Sequence, residues 1–145
     1  MAPADRQAAY RALEALYAEL QSELDAIGPA CRLTGRCCHL KEFGHQLWAT
    51  RLEIEYLLER AGFPKGLPDG VCPYLEEEAC GARPYRMLAC RTFFCEASFR
   101  YHMGPLHERY HRRVRDLHRL AGWPYEYVEF LGELARRVGT PPGPA

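Results

Sequence analysis

Residues 50 to 62 read TRLEIEYLLERAG, a helix written out with both of its ends. Thr50 and Glu53 make the capping-box signature, in which a hydroxyl and a carboxylate satisfy amides that the first turn leaves without partners. Leu52, Ile54, Leu57, Leu58 and Ala61 supply its apolar side. Gly62 stops it, and Pro64 lies just beyond. Toward the N-terminus, Ala9, Leu13, Leu16, Leu20, Leu24 and Ile27 recur at spacings of three and four, which predicts a helix over 5–27 that Gly28 and Pro29 end. Toward the C-terminus, Pro105 suits a first helical turn. Leu106, Tyr110, Val114, Leu117 and Leu120 follow at helical spacing until Gly122. Pro124 then opens a predicted last helix with Val128, Leu131, Leu134, Ala135 and Val138. Residues 65–80 are turn-rich with an acidic run at 76–78, and 86–95 begins as helix. No strand signal and no internal repeat stands out. The expected fold is therefore mostly α: a small helical domain with an irregular cysteine-rich middle segment.

The bulk numbers agree with one domain spanning 1–145, since 145 residues bury an ordinary core without cross-links. Its parts are the helix at 5–27, the cysteine core at 31–95, the helices at 105–138 and a tail at 139–145, GTPPGPA, expected to be mobile. With 48% apolar and 26% charged residues the chain belongs with folded, soluble proteins. The formal net charge is zero, which leaves no global field for nucleic acid or a membrane surface. MAPADRQAAYRALEALYAEL has no secretory apolar run, and no stretch approaches the length that spans a bilayer. The expected location is cytoplasmic, where thiols stay reduced and clustered cysteines serve metals or redox chemistry.

All seven cysteines, Cys31, Cys37, Cys38, Cys72, Cys80, Cys90 and Cys95, lie between residues 31 and 95, and the flanking helices have none. Cysteines used only as small buried hydrophobes would scatter instead. Soft thiolates hold zinc or the irons of a cluster through four ligands, and binding of that kind contributes folding free energy. Side chains of neighbours such as Cys37 and Cys38 point apart. One of the pair is expected to face the main site, while the other packs in the core, serves a second metal or acts as a reactive thiol. His39 and His45 are the nearest non-sulfur candidates, but the cysteines already outnumber a four-ligand need.

CGARPYRMLACRTFFC, residues 80–95, resembles the last element of the YkgJ-like cysteine-cluster family, a zinc- or iron-chelating domain named for its CxxCxxCC motif. Cys80, Arg86, Cys90, Arg91, Phe93 and Cys95 match that element without a gap. Cys72, Pro73 and Leu75 match the family's Cys-Pro-x-Leu segment, and Cys31, Cys37 and Cys38 match its opening motif. Thr34 stands where the family has its second cysteine. Met87 replaces the proline of an Arg-Pro pair, Ala82 and Arg83 replace an Ile-Tyr pair, and Phe94 replaces the proline before the last cysteine. The resemblance implies an iron–sulfur cluster or a zinc or iron ion held by four ligands drawn from Cys37 or Cys38, Cys72, Cys80, Cys90 and Cys95. Cys31 has lost its short-range partner. Arg91, directly after Cys90, either donates to cluster sulfurs and balances thiolate charge or makes a surface salt bridge.

Two other patterns compete with this reading. HERYH at 107–111 fits HExxH, in which two histidines one turn apart bind zinc and the glutamate serves as base. Arg109, Arg112, Arg113, Arg115 and Arg119 crowd the same helix and oppose a cation, and the third ligand of the metzincin pattern is missing. The replacement His107→Ala is therefore expected to spare both metal and stability. The arginines also form a stripe that would suit RNA or an acidic partner. Pairing with the acidic run at 76–78 and the acids of the TRLE helix is the preferred expectation.

The expected function is a cytosolic metal-binding protein with a redox, sensing or metal-handling role. Iron–sulfur is preferred for its all-thiolate pool, the Cys72-Pro73 pair and the neighbouring arginine. One alternative is a structural zinc module for protein interaction. Another is an accessory part of an enzyme related to flagellin lysine N-methylases, which the family resemblance reaches; no glycine-rich cofactor loop is present, so such an activity would need a protein partner.

Overall fold

Helix α1, Arg6–Ile27, starts where Asp5 caps it: the Asp5 carboxylate accepts from the Ala8 amide at 2.9 Å. A computed structural model provides the structure and describes residues 5–27, 47–64, 74–76, 79–80, 83–92 and 100–139. Cys31, Cys37, Cys38, Cys72 and Cys95, with Thr34, His39, His45, Glu77 and Glu78, lie outside those residues, as does the tail after Gly139. Along α1 the predicted stripe of Ala9, Leu13, Leu16, Leu20 and Leu24 is buried, and Tyr10 and Tyr17 widen it. The stripe packs on helix α4, Arg100–Ala121, through Leu106, Tyr110, Val114 and Ala121. The Asp5 amide donates to the Leu120 carbonyl at 3.0 Å, so the start of one helix is fastened to the end of the other.

Helix α2 spans Arg51–Ala61, with Thr50 as its cap and the capping box complete. Gly62 ends it at φ 80° and ψ 170°, a combination that side-chain-bearing residues scarcely adopt. Leu52, Ile54 and Leu57 are buried as expected, but so are Glu53 and Tyr56, while Ala61 is exposed. Leu52 and Tyr56 face the α1–α4 core. Ile54 and Leu57 face a second cluster.

The helical class holds, with corrections. Strand β1, Trp48–Thr50, pairs antiparallel with β4, Tyr127–Glu129, in the register Trp48↔Glu129, Ala49↔Val128 and Thr50↔Tyr127. The pairing continues outward, since Arg51 donates to the Glu126 carbonyl at 3.0 Å and Phe130 to the Leu47 carbonyl at 2.8 Å. The last helix therefore does not open at Pro124. Helix α5 is Phe130–Gly139, and the Glu129 carboxylate caps it by accepting from Leu131 and Gly132, each at 2.9 Å. Tyr127 and Val128 suit an extended strand, and the ladder to β1 outweighs the helical spacing read through them. A second pair, β2 (Leu75–Glu76) with β3 (Ala79–Cys80), sets Leu75 opposite Cys80.

Helix α4 starts five residues before Pro105 rather than at it. Gly104 explains the tolerance: without a Cβ it avoids the clash that proline imposes on the residue before it. Among the described residues the arginines of the stripe meet acids of α1 and of their own helix, while Glu77 and Glu78 of the acidic run lie outside those residues. Arg109 pairs with Glu23 at 2.8 Å and Arg113 with Glu19 at 2.7 Å, both on α1, and Arg112 pairs with Glu108 on its own helix. In the TRLE helix, Glu55 pairs with Arg137 and Arg51 instead. No described helix is long and apolar enough to cross a membrane.

Candidate functional site

Cys90 sits in α3, Leu88–Arg91, a single helical turn that follows a 3-10 turn at Arg83–Tyr85. Four residues do not form a helix unaided, because the first turn costs more order than one hydrogen bond returns. The neighbours hold it. Met87, at the N-cap position, offers no side-chain cap. Glu53 of α2 takes that place, with its Oε2 accepting from the Leu88 amide at 2.6 Å. At the other end the Thr92 hydroxyl donates to the Leu88 carbonyl at 2.9 Å.

Glu53 is 2% exposed and its two oxygens serve three segments of chain. Oε1 accepts from the Thr50 amide at 3.2 Å and the Thr50 hydroxyl at 3.0 Å, and Oε2 accepts from the Tyr17 hydroxyl at 3.1 Å besides Leu88. A buried carboxylate with this many donors avoids most of the cost of leaving water. Burial, and after it the charge of Glu53, push the Tyr17 phenol well above its ordinary range, so Tyr17 keeps its proton and acts as a donor.

Arg91 is drawn into the same turn. Its Nε donates to the Arg86 carbonyl at 2.7 Å and its Nη2 to the Pro84 carbonyl at 2.9 Å. The guanidinium lies 4.0 Å from the centroid of the Tyr17 ring, a cation–π contact. Burial pulls its pKa downward, offset by Tyr17. The arginine thus fixes the shape of the 84–91 loop by donating to backbone carbonyls.

The Cys90 side chain is 7% exposed in a cluster with Leu47, Ala49, Ile54, Leu57, Tyr74, Met87, Phe130 and Leu134. Tyr74 also donates to the Gly62 carbonyl at 2.7 Å, fastening the segment that follows Cys72 to the end of α2. Of the cysteines named from the sequence, the described residues include Cys90 in full and the backbone of Cys80 in β3.

The two HExxH histidines separate in role. His107 is half-buried, with Nδ1 3.1 Å from the Thr92 hydroxyl. His111 meets the Tyr125 hydroxyl through Nε2 at 2.6 Å and packs edge-on against the Tyr127 ring. Burial lowers both pKa values, and Glu53 partly offsets this. Glu108 points to solvent beside Arg112. Among the described residues no group of three or more His, Cys, Asp or Glu side chains is arranged to hold a metal ion.

His118, on the same helix, is 1% exposed. Its Nε2 accepts from the Leu52 amide at 3.2 Å, so Nδ1 carries the proton and donates to the Val114 carbonyl at 3.0 Å. Burial holds this imidazole below its ordinary pKa, in keeping with a neutral ring.

Sequence reasoning found Thr50 and Glu53 as a cap but missed the second duty of Glu53, and it missed Tyr17, Thr92 and His118. A signal was present for some of these. Glu53 lies between Leu52 and Ile54 and one turn before Leu57, and His118 lies one turn after Val114, so both polar residues occupy inward positions. Compared with family models, curated proteins and solved structures, the chain matches none of them.

Proposed function

We propose that this chain is a metal-binding protein of the YkgJ-like kind, whose cysteines hold an iron–sulfur cluster or, failing that, a zinc or iron ion. The ligands are drawn from Cys31, Cys37, Cys38, Cys72, Cys80, Cys90 and Cys95. The observation that carries the reading is the shared packing of Leu47, Tyr74, Met87 and Cys90. Leu47 closes the segment that contains Cys31, Cys37 and Cys38; Tyr74 follows Cys72; and Cys90 itself precedes Cys95. Described residues that flank or include the thiol-bearing stretches thus meet in one cluster. The donor set fits a soft metal, and the apolar shell around Cys90 would limit water at a bound group. When bound, an iron–sulfur group supplies one-electron chemistry, whereas zinc supplies a cross-link. The chain's own share is to bring thiolates together, shield them with Met87 and Tyr74, and hold the Cys90 turn through Glu53 and Arg91.

Metal content, acid-labile sulfide and a visible spectrum on protein purified without oxygen test this. Iron with sulfide and a brown colour is the expected result. Stoichiometric zinc in a colourless protein would favour the structural module for protein interaction, and no metal at all would end the proposal. The replacement Cys90→Ser is expected to lose metal and stability together, because metal affinity and folding are linked.

A further inference from the structure

We propose that His107 is a positioning residue for Cys90, closing from α4 the clamp that Glu53 closes from α2. The inference rests on the reading of Cys90 as a metal ligand. The α3 turn has one anchor at each end. Glu53 accepts from Leu88 at its start, and Thr92 at its end meets His107. The Thr92 hydroxyl has a single proton and gives it to the Leu88 carbonyl. Toward His107 it can therefore only accept, which fixes the proton on Nδ1. An imidazolium carries the same Nδ1–H, so the link holds in either protonation state. Glu53 and His107 come from different helices, and neither is near Cys90 in sequence. Together they set the position of a turn too short to hold itself. Metal–thiolate bonds tolerate little displacement, so the anchoring of this turn is expected to reach the metal. This accounts for the first histidine of HERYH without giving it a metal of its own.

The test uses the full chain with His107→Ala, with His107→Asn, which keeps an N–H donor near the Nδ1 position, and with Thr92→Val, which removes the acceptor. Two rates are read: site-resolved alkylation of Cys90 by iodoacetamide, and release of zinc from zinc-loaded protein to a chelator. Partners that orient a ligand are worth about 10- to 100-fold in metal affinity. The expected result is that His107→Ala and Thr92→Val each raise both rates about tenfold, that His107→Asn stays near the parent, and that far-ultraviolet circular dichroism is unchanged. Parent-like rates in His107→Ala, or an asparagine variant as fast as the alanine one, would overturn the proposal. If His107→Ala fails to fold, His107→Phe, which keeps the ring and removes the N–H, decides in its place, because Thr92→Val also removes the bond to the Leu88 carbonyl. If the parent protein holds neither zinc nor an iron–sulfur cluster, the metal reading fails, and Cys90 alkylation alone still decides whether the clamp exists.

Discussion

The molecule has two apolar clusters that are built in opposite ways. The first joins α1, α4 and one face of α2 through Leu13, Leu16, Leu20, Leu52, Tyr110 and Val114, each placed by helical repeat. The second adds Leu47, Ala49, Tyr74, Met87 and Cys90, which share no repeat, to Ile54 and Leu57 of α2 and Phe130 and Leu134 of α5. Both are packed by apolar area, and Glu53 joins them: it accepts from Tyr17 and Leu88 of the first and so holds the turn that carries Cys90 of the second. The difference teaches that a region with little secondary structure of its own depends on donors and acceptors lent by its neighbours.

Glu53→Ala is the sharpest way to break that distinction. It leaves the Leu88 amide and the Tyr17 hydroxyl without their acceptor, and buried groups stranded in this way cost roughly 1–3 kcal/mol each. The expected loss is about 4 kcal/mol in a urea titration, with hydrogen exchange at Leu88 and Cys90 accelerated beyond the rest. In the first cluster Leu13→Ala, at a fully buried site, should cost about 3 kcal/mol and speed exchange along α1 and α4 instead. Equal exchange profiles for the two variants would show that the clusters unfold as one.

Acid should destabilise the fold by charging the half-buried and buried histidines of α4. His107, His111 and His118 have folded pKa values below the ordinary 6.5 because burial disfavours their charged forms. Below that value the unfolded chain binds more protons than the folded one. Their contribution is therefore fully present above about pH 6.5 and is lost as the pH falls toward the folded values. For His118 a proton on Nε2 would also cost Leu52 its acceptor. Denaturation midpoints measured from about pH 7.5 down to about pH 5.5 should fall, and a flat profile would deny the buried histidines this role. Glu19 and Glu133, lowered chiefly by Arg113 and Arg136, act in a separate window: their contribution is present above 4.5 and lost as the pH falls below it.

The smallest effect belongs to the stripe. Arg112→Ala removes an exposed pair with Glu108 at one-turn spacing and should change stability by about 0.3 kcal/mol. A larger change at moderate salt would mean that the stripe does more than solvate α4.

Much of this was legible. Apolar spacing gave the inward face of α1, and the TRLE signature gave the start of α2 to the residue, because both are local codes written within one or two turns. The strands were not legible. Trp48–Thr50 and Tyr127–Glu129 extend only against each other, and the pairing joins residues nearly eighty positions apart. For the same reason the last helix was placed too early, since a ladder to β1 lies behind the rejection of helix at Tyr127 and Val128. HERYH shows the limit on the site side. Its spacing correctly puts both histidines on one flank of α4, but spacing cannot tell that Thr92 and Tyr125 would take their nitrogens.

By itself the sequence determined a helical protein, the inward face of α1, the start of α2 and the grouping of the thiols along the chain, since periodicity, caps and composition act over short distances. Only the tertiary structure decided that Glu53 caps a second helix, that Arg91 folds back on its own loop and that His107 reaches Thr92. These contacts depend on which segments meet, and that meeting is set by burying two cores at once rather than by any local run of residues.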